Sequence, residues 1–111
     1  MTSKTLIWVG RSRADIQALP EAVRRQLGSE LREVQRGDEP RDWKPMRSVG
    51  VGAIEIRVRV GSEFRLIYVA RFPDAIYVLH VFQKKSQKTS HFDVALARAR
   101  YAAVRVLRKD T

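Results

Sequence analysis

Residues 54–82 read IEIRVRVGSEFRLIYVARFPDAIYVLHVF, and the periodicity of this run decides the fold. From Ile54 to Val60 apolar and polar side chains alternate, with Ile54, Ile56, Val58 and Val60 on one face and Glu55, Arg57 and Arg59 on the other. A period of two marks a strand with one face on the core and one polar face. Gly61-Ser62 turns the chain into Glu63–Arg71, where Phe64, Leu66 and Tyr68 share one face and Arg65, Ile67 and Val69 the other. Arg65, placed among apolar neighbours, is expected toward the open end of its strand and not buried. Pro73-Asp74 makes the next turn and Ala75–Phe82 is a third strand, so the segment predicts an antiparallel meander.

Downstream, the apolar run stops in Gln83-Lys84-Lys85-Ser86-Gln87-Lys88-Thr89, with both histidines of the chain, His80 and His91, close by. His80 lies inside the apolar strand and is expected to be a satisfied core histidine. Ser90 with Asp93 makes an S-x-x-D cap, and Phe92, Leu96, Ala99, Ala103 and Val106 predict a helix packing on the sheet through a narrow, alanine-rich stripe. Arg98, Arg100, Arg105, Arg108 and Lys109 then point elsewhere.

Upstream, Gly37–Gly52 is a loop by composition, with Trp43 and Met46 expected to tuck onto the core and Lys44 and Arg47 to add charge near the following strand. Glu21 to about Arg36 carries Val23, Leu27, Leu31 and Val34 as one stripe of an amphipathic helix, stopped by Gly37-Asp38. Ser12 and Asp15 form another capping signal, so a shorter helix is expected from Arg13, carrying Ile16 and Leu19 and interrupted at Pro20. Leu6–Val9, LIWV, predicts a strand buried on both faces. The order is strand, helix, helix, three strands, helix: an α+β domain over residues 1–111, with an N-terminal strand and helical hairpin, a three-stranded antiparallel meander completing a four-stranded sheet, and a C-terminal helix.

Composition narrows the functional classes. The chain has 22 Lys+Arg against 12 Asp+Glu, a net charge of +10. The excess is lopsided, about +1 over residues 1–40 and +9 over residues 41–111. A cationic field of this kind attracts polyphosphate backbones, and nucleic acid is the expected partner. There is no cysteine and there are only two histidines, so neither a metal site nor a bound cofactor is expected. The absence of a long apolar run and of a secretory leader places the chain in the cytoplasm, away from membranes. A phosphate-cradling glycine loop, H-E-x-x-H, G-x-S-x-G and a cysteine nucleophile are all missing. What remains is a basic set with a few proton carriers: Arg57, Arg59, Arg65, Tyr68, His80, Lys84, Lys85, Lys88 and His91. Opposite residues on neighbouring strands lie about 5 Å apart, so the meander can gather such side chains into a phosphate clamp.

Trp43-Lys44-Pro45-Met46, Glu55-Ile56-Arg57, Phe64-Arg65-Leu66-Ile67-Tyr68, His80-Val81-Phe82-Gln83-Lys84-Lys85 and the Ala97–Arg100 helix, in this order, resemble the RelE/ParE superfamily of toxins in its HigB-like, phage-derived branch. The resemblance covers nearly the whole chain. It implies a RelE-like fold whose sheet forms a cleft, a cognate antitoxin encoded beside the toxin, expected to be a helix-turn-helix protein, and cleavage of mRNA on translating ribosomes. It also implies site positions at Arg57, Arg65, Lys84 and Lys85. The residues add Tyr68 and His91 as further catalytic candidates, and Lys44, Arg47, Arg59 and Lys88 as nucleic-acid contacts. Cleavage through the RNA 2′-hydroxyl needs a base, a stabilised phosphorane and an acid for the leaving 5′-oxygen. Arginines suit the second task; Lys84 or Lys85 is the candidate base, and His91 or Tyr68 the candidate acid. The alternatives are a DNA gyrase poison of the ParE type and a non-enzymatic basic nucleic-acid-binding module.

Overall fold

The computed structural model describes residues 3–86 and 90–110. The elements run β1 (Thr5–Trp8), α1 (Ser12–Gln17), α2 (Glu21–Gln35), β2 (Trp43–Pro45), β3 (Ala53–Val60), β4 (Ser62–Val69), β5 (Ala75–Lys84) and α3 (His91–Leu107). The strands form one sheet in the order β1-β5-β4-β3-β2. The β3-β4-β5 meander is antiparallel as the sequence predicts, β1 joins β5 in parallel, and β2 closes the far edge antiparallel to β3.

The sheet therefore has five strands where four were expected. The extra strand, β2, comes from the stretch read as loop: Trp43, Lys44 and Pro45 pair with Ile56, Glu55 and Ile54. Three residues ending in proline carry no periodicity to recognise, and proline is tolerated because β2 is an edge strand. Met46, just beyond it, is buried as expected, and Trp43 is half-buried. The strand at the other edge also departs from expectation. Leu6 and Trp8 of β1 pack on the helical side, but Thr5 is exposed and Ile7 is 36% exposed, so only one face of β1 is covered.

Two apolar layers sandwich the sheet. On one side the α2 stripe Val23, Leu27, Leu31 and Val34, with Ile16 of α1, covers Ile56, Val58, Phe64, Leu66, Tyr68, Ile76 and Val78. The C-terminus of α2 closes with the glycine stop the sequence predicts: Gly37, at φ +96°, donates to the Val34 carbonyl and Asp38 to that of Glu33. This six-to-one and five-to-two pairing satisfies the last carbonyls of the helix. The α1 start differs from expectation. Arg11 is the N-cap, and Ser12 lies inside the first turn, fully buried, with its hydroxyl donating to the Val78 carbonyl at 3.1 Å. The tight turn at Gly10 pulls Ser12 under the helix, where it ties α1 to β5 and caps nothing.

On the other side α3 presents Ala97, Tyr101 and Val104 to Ala53, Ile67, Val69, Tyr77 and Leu79. Ser90 caps this helix as predicted, accepting from the Asp93 amide at 3.1 Å. The predicted packing stripe does not face the sheet, however: Phe92 and Val106 are 72% and 78% exposed. The helix has two apolar faces, and the buried one is centred on a tyrosine. The Tyr101 hydroxyl donates to the Val51 carbonyl at 2.5 Å and accepts from Arg71 Nε at 2.7 Å, so its polar tip is satisfied while the ring fills the core. Gly50, at φ +156°, lies flat against that ring; a Cβ there would sit 2.6 Å from the ring carbons. Arg98, Arg100 and Arg108 brace the same side of α3 through the Ser48 carbonyl, the Leu79 carbonyl and Asp74.

A β-bulge in β5 sets which side chains reach the open end of this layer. Ile67 pairs with His80 but Tyr68 pairs with Val78, leaving Leu79 as an extra residue. Tyr77 and Leu79 before the bulge lie in the α3 layer, and His80 after it bonds Asp93 of α3. The alternation thus shifts by one place, and Phe82 and Lys84 come to lie opposite Arg65 and Glu63.

Candidate cationic groove at the end of the sheet

Beyond the N-terminus of α3 the sheet is uncovered, and β3, β4 and β5 bring their polar positions together there. Arg57 and Arg65 are direct partners across β3 and β4, and Glu63 and Lys84 across β4 and β5. Arg65 is the centre of the arrangement. Only 2% exposed, it donates from one terminal nitrogen to Glu55, which is fully buried, and from the other to Glu63 at 2.5 Å. This overturns the expectation of an unburied Arg65, and it buries Glu55 on the face of β3 read as polar. Two carboxylates on neighbouring strand positions make burial of the guanidinium tolerable, as charge pairing and hydrogen bonding must when a charge leaves water. Its Nε remains buried without a hydrogen-bond partner.

The rest of the network radiates from those carboxylates. Lys44 of β2 stands 3.8 Å from Glu55, while Arg59 and Lys84 stand 2.8 and 3.7 Å from Glu63. The hydrogen bonds from Arg65 and Arg59 hold the Glu63 carboxyl down at about 2, well below its ordinary 4.5. Arg57 is engaged elsewhere: Nε and a terminal nitrogen both reach one oxygen of Asp42, at 2.9 and 2.6 Å. An open groove of about 570 Å³ lies over this network, lined by Arg59, Gly61, Glu63, Arg65, Lys84, Lys85 and Ser86. Four cationic side chains thus face one carboxylate, a surface suited to phosphate oxygens. A second hollow of about 230 Å³, on the α3 side of Lys84 and Lys85, is lined also by Phe82, Ser90 and Asp93. At its base Asp93 accepts from Ser90 Oγ at 2.5 Å and meets His80 Nε2 at 2.6 Å, while the His80 ring stacks on Phe82. His80 is buried as expected, yet its Nδ1 has no partner.

The structure therefore gathers Arg59, Arg65, Lys84 and Lys85, with Arg57 and Lys44 one strand away on the same face. His91 is exposed at the first position of α3, next to Ser90. Arg47 is exposed in the turn after β2, outside the groove. Lys88 lies outside the described residues. Tyr68 lies on the opposite face of the sheet, packed among the α2 core, with burial raising its hydroxyl above the usual phenol range. The core therefore separates it from the cations. Sequence reasoning missed the acidic half of the site, Asp42, Glu55, Glu63 and Asp93. The signal for two of them was present in Glu63-x-Arg65 and Glu55-x-Arg57, where a two-residue spacing puts opposite charges on one face of a strand. Among the described residues no group of three or more His, Asp or Glu side chains could hold a metal ion, and no helix is long and apolar enough to cross a membrane.

The fold is one seen before in solved structures. It is similar to the E. coli RelE toxin, as a double-arginine mutant in the free state (TM-score 0.64, 21% identity, 91% of this chain and 98% of the other). The isolated E. coli RelE toxin matches with a TM-score of 0.59 at 21% identity, over 87% of this chain and 99% of the other. None of the curated proteins matches the sequence. Residues 14–102 match the phage-derived Gp49-like proteins, and the chain belongs to that family.

Proposed function

We propose that this protein is the toxin of a toxin–antitoxin pair and a ribosome-dependent mRNA endonuclease. The observation that carries the reading is the open cationic groove at the end of a RelE-type sheet. Arg59 and Lys85, both exposed, meet the RNA backbone first, and Lys44, Arg47 and Lys88 extend the contact. Arg57 and Arg65 stabilise the crowded anionic phosphorane, Arg65 from a position held by its two carboxylates. Lys84 or Lys85 accepts the proton of the 2′-hydroxyl as that oxygen attacks phosphorus. The bond to the 5′-oxygen breaks, His91 returns a proton to it, and a 2′,3′-cyclic phosphate remains. None of these steps calls on a cofactor. An antitoxin that covers the groove or bars entry to the ribosome is the expected cognate partner.

The test is to add purified protein to a translation reaction and map the ends of the message. Cleavage within the ribosomal A site, lost when Lys84 and Lys85 are both changed to Ala in a variant that still folds, supports the reading. Intact message with full translation refutes it. DNA breaks and SOS induction on expression would instead mark a gyrase poison, and salt-sensitive binding without cleavage or toxicity a simple nucleic-acid-binding module.

A further inference from the structure

A cavity of about 320 Å³ opens on the α2 side of the sheet and shares no lining residue with the cationic groove. Its floor is apolar and aromatic: Ile54 and Tyr68, direct partners across β3 and β4, together with Ala70 and with Trp43 of β2. Lys44 and Glu55, next to Trp43 and Ile54 along the same strands, face the ion network on the other side, so the thickness of the sheet separates the cavity from the groove. Val34 and Gly37 close the cavity at the end of α2, and Asp38 and Glu39, both exposed, stand at its mouth. Two features here have no use in the fold. Tyr68 is only 4% exposed, yet its hydroxyl makes no hydrogen bond with any described residue. The other two tyrosines are both bonded, Tyr77 to Arg108 and Tyr101 to Arg71 and the Val51 carbonyl, as buried phenols ordinarily are. The carboxylates of Asp38 and Glu39 likewise form no ion pair with a described residue, in a chain that carries 22 Lys+Arg. Burial, then the negative charge of Glu39 and Glu30, holds the Tyr68 hydroxyl above the usual phenol range, so it stays protonated and can both donate and accept.

We propose that this cavity is a binding site for a small organic cation, an amine carried on a flat aromatic body. The ring lies on Ile54 and Ala70 beside the Trp43 indole, the Tyr68 hydroxyl supplies a polar contact inside, and the ammonium group meets Asp38 and Glu39 at the mouth. Aromatic rings close to a cation add to its attraction. An anion fits worse, because the two cations that also line the cavity are committed: Lys4 donates to the Ala70 carbonyl, and Arg71 is held by Tyr101 and Asp110. The volume is that of a small-molecule pocket, apolar with a few convergent polar groups. A protein partner fits worse, since none of the exposed large apolar side chains lines the cavity and the contact would not continue beyond it. The site does not depend on RNA cleavage, and its failure or success is read by binding alone.

The probes are tryptamine and indole-3-acetate, one ring system with opposite charges, titrated into the nitrogen-15-labelled full chain. Tryptamine should shift the indole N–H signal of Trp43 saturably and leave that of Trp8, the only other tryptophan, in place. Indole-3-acetate should bind about tenfold more weakly. Tyr68→Phe, which removes only the hydroxyl, should weaken tryptamine by roughly threefold or more. Asp38→Asn with Glu39→Gln, both on the surface, should weaken it by roughly fivefold and erase the preference over indole-3-acetate. Asp15→Asn with Glu21→Gln, an equal change of charge elsewhere, should alter binding less than about twofold. Thermal melting confirms that the variants fold, and the exposed pair at the mouth carries the test if Tyr68→Phe does not. The absence of a saturable shift, a shift at Trp8 in place of Trp43, or equal affinity for the two probes overturns the proposal. So does unchanged tryptamine affinity in Asp38→Asn with Glu39→Gln.

Discussion

Replacing Glu55 by Gln tests the buried ion network at its least hydrated point. Glu55 is fully buried and Arg65 is 2% exposed, so neither can recover its interactions from water. Gln keeps the volume and still offers an amide oxygen to Arg65, but the negative charge is gone. Breaking a buried pair by removing one partner costs about 3–5 kcal/mol. Arg65 retains Glu63 at 2.5 Å, which lowers the expected loss to about 2–3 kcal/mol, the strength of one hydrogen bond to a charged group. For a chain of 111 residues that corresponds to a melting temperature lower by roughly 10–15 °C. Urea unfolding at pH 7, followed by tryptophan fluorescence, measures the change directly. The double variant Glu55→Leu with Arg65→Met removes both charges and should be less destabilised than Glu55→Gln alone, because Glu63 is partly hydrated and no charge is stranded. A loss below about 0.5 kcal/mol in Glu55→Gln, typical of exposed pairs, would refute the claim that this pair is desolvated.

Glu63, whose carboxyl is held down at about 2 from an ordinary 4.5, stabilises the fold above pH 4.5 and loses that contribution as pH falls toward 2; a pH series of urea midpoints should be flatter over this window in Glu63→Gln. Tyr68→Phe should leave RNA cleavage within twofold of the parent, since Tyr68 sits in the α2 core; a tenfold loss would return it to the site. Gly50→Ala drives a Cβ to within 2.6 Å of the Tyr101 ring and should cost at least about 1–3 kcal/mol, as overpacking does, visible as a lower melting temperature. Recovery of the parent value in that variant would mean Tyr101 moves freely.

The meander and α2 were legible because their apolar side chains repeat at two and at about four residues over long runs. β2 was not, because three residues show no period and its pairing depends on β3, ten residues on. The α3 face was misread for a different reason. Phe92, Leu96, Ala99, Ala103 and Val106 make the cleaner stripe, while the packed face hides its hydrophobicity in a tyrosine, an alanine and a valine between arginines. The cations of the groove could be found from composition and position. Their carboxylate partners could not be ranked, since burial of Arg65 rests on three strands meeting in one register.

That register turns on a single inserted residue. β5 is two half-strands of opposite parity joined at Leu79: odd numbers face α3 before it and even numbers after it. Pairing β5 straight through with every residue kept would leave the core half in place and send Lys84 to the α2 side, offering Lys85 in its stead, whereas deleting Leu79 would remove the bulge and keep Lys84 opposite Glu63. The bulge therefore works as a frame marker between scaffold and chemistry, and it lets the apolar pattern of residues 75–78 and the charge pattern of residues 82–85 vary independently. A chain of this fold without the bulge would have to carry its groove-facing cation one position along.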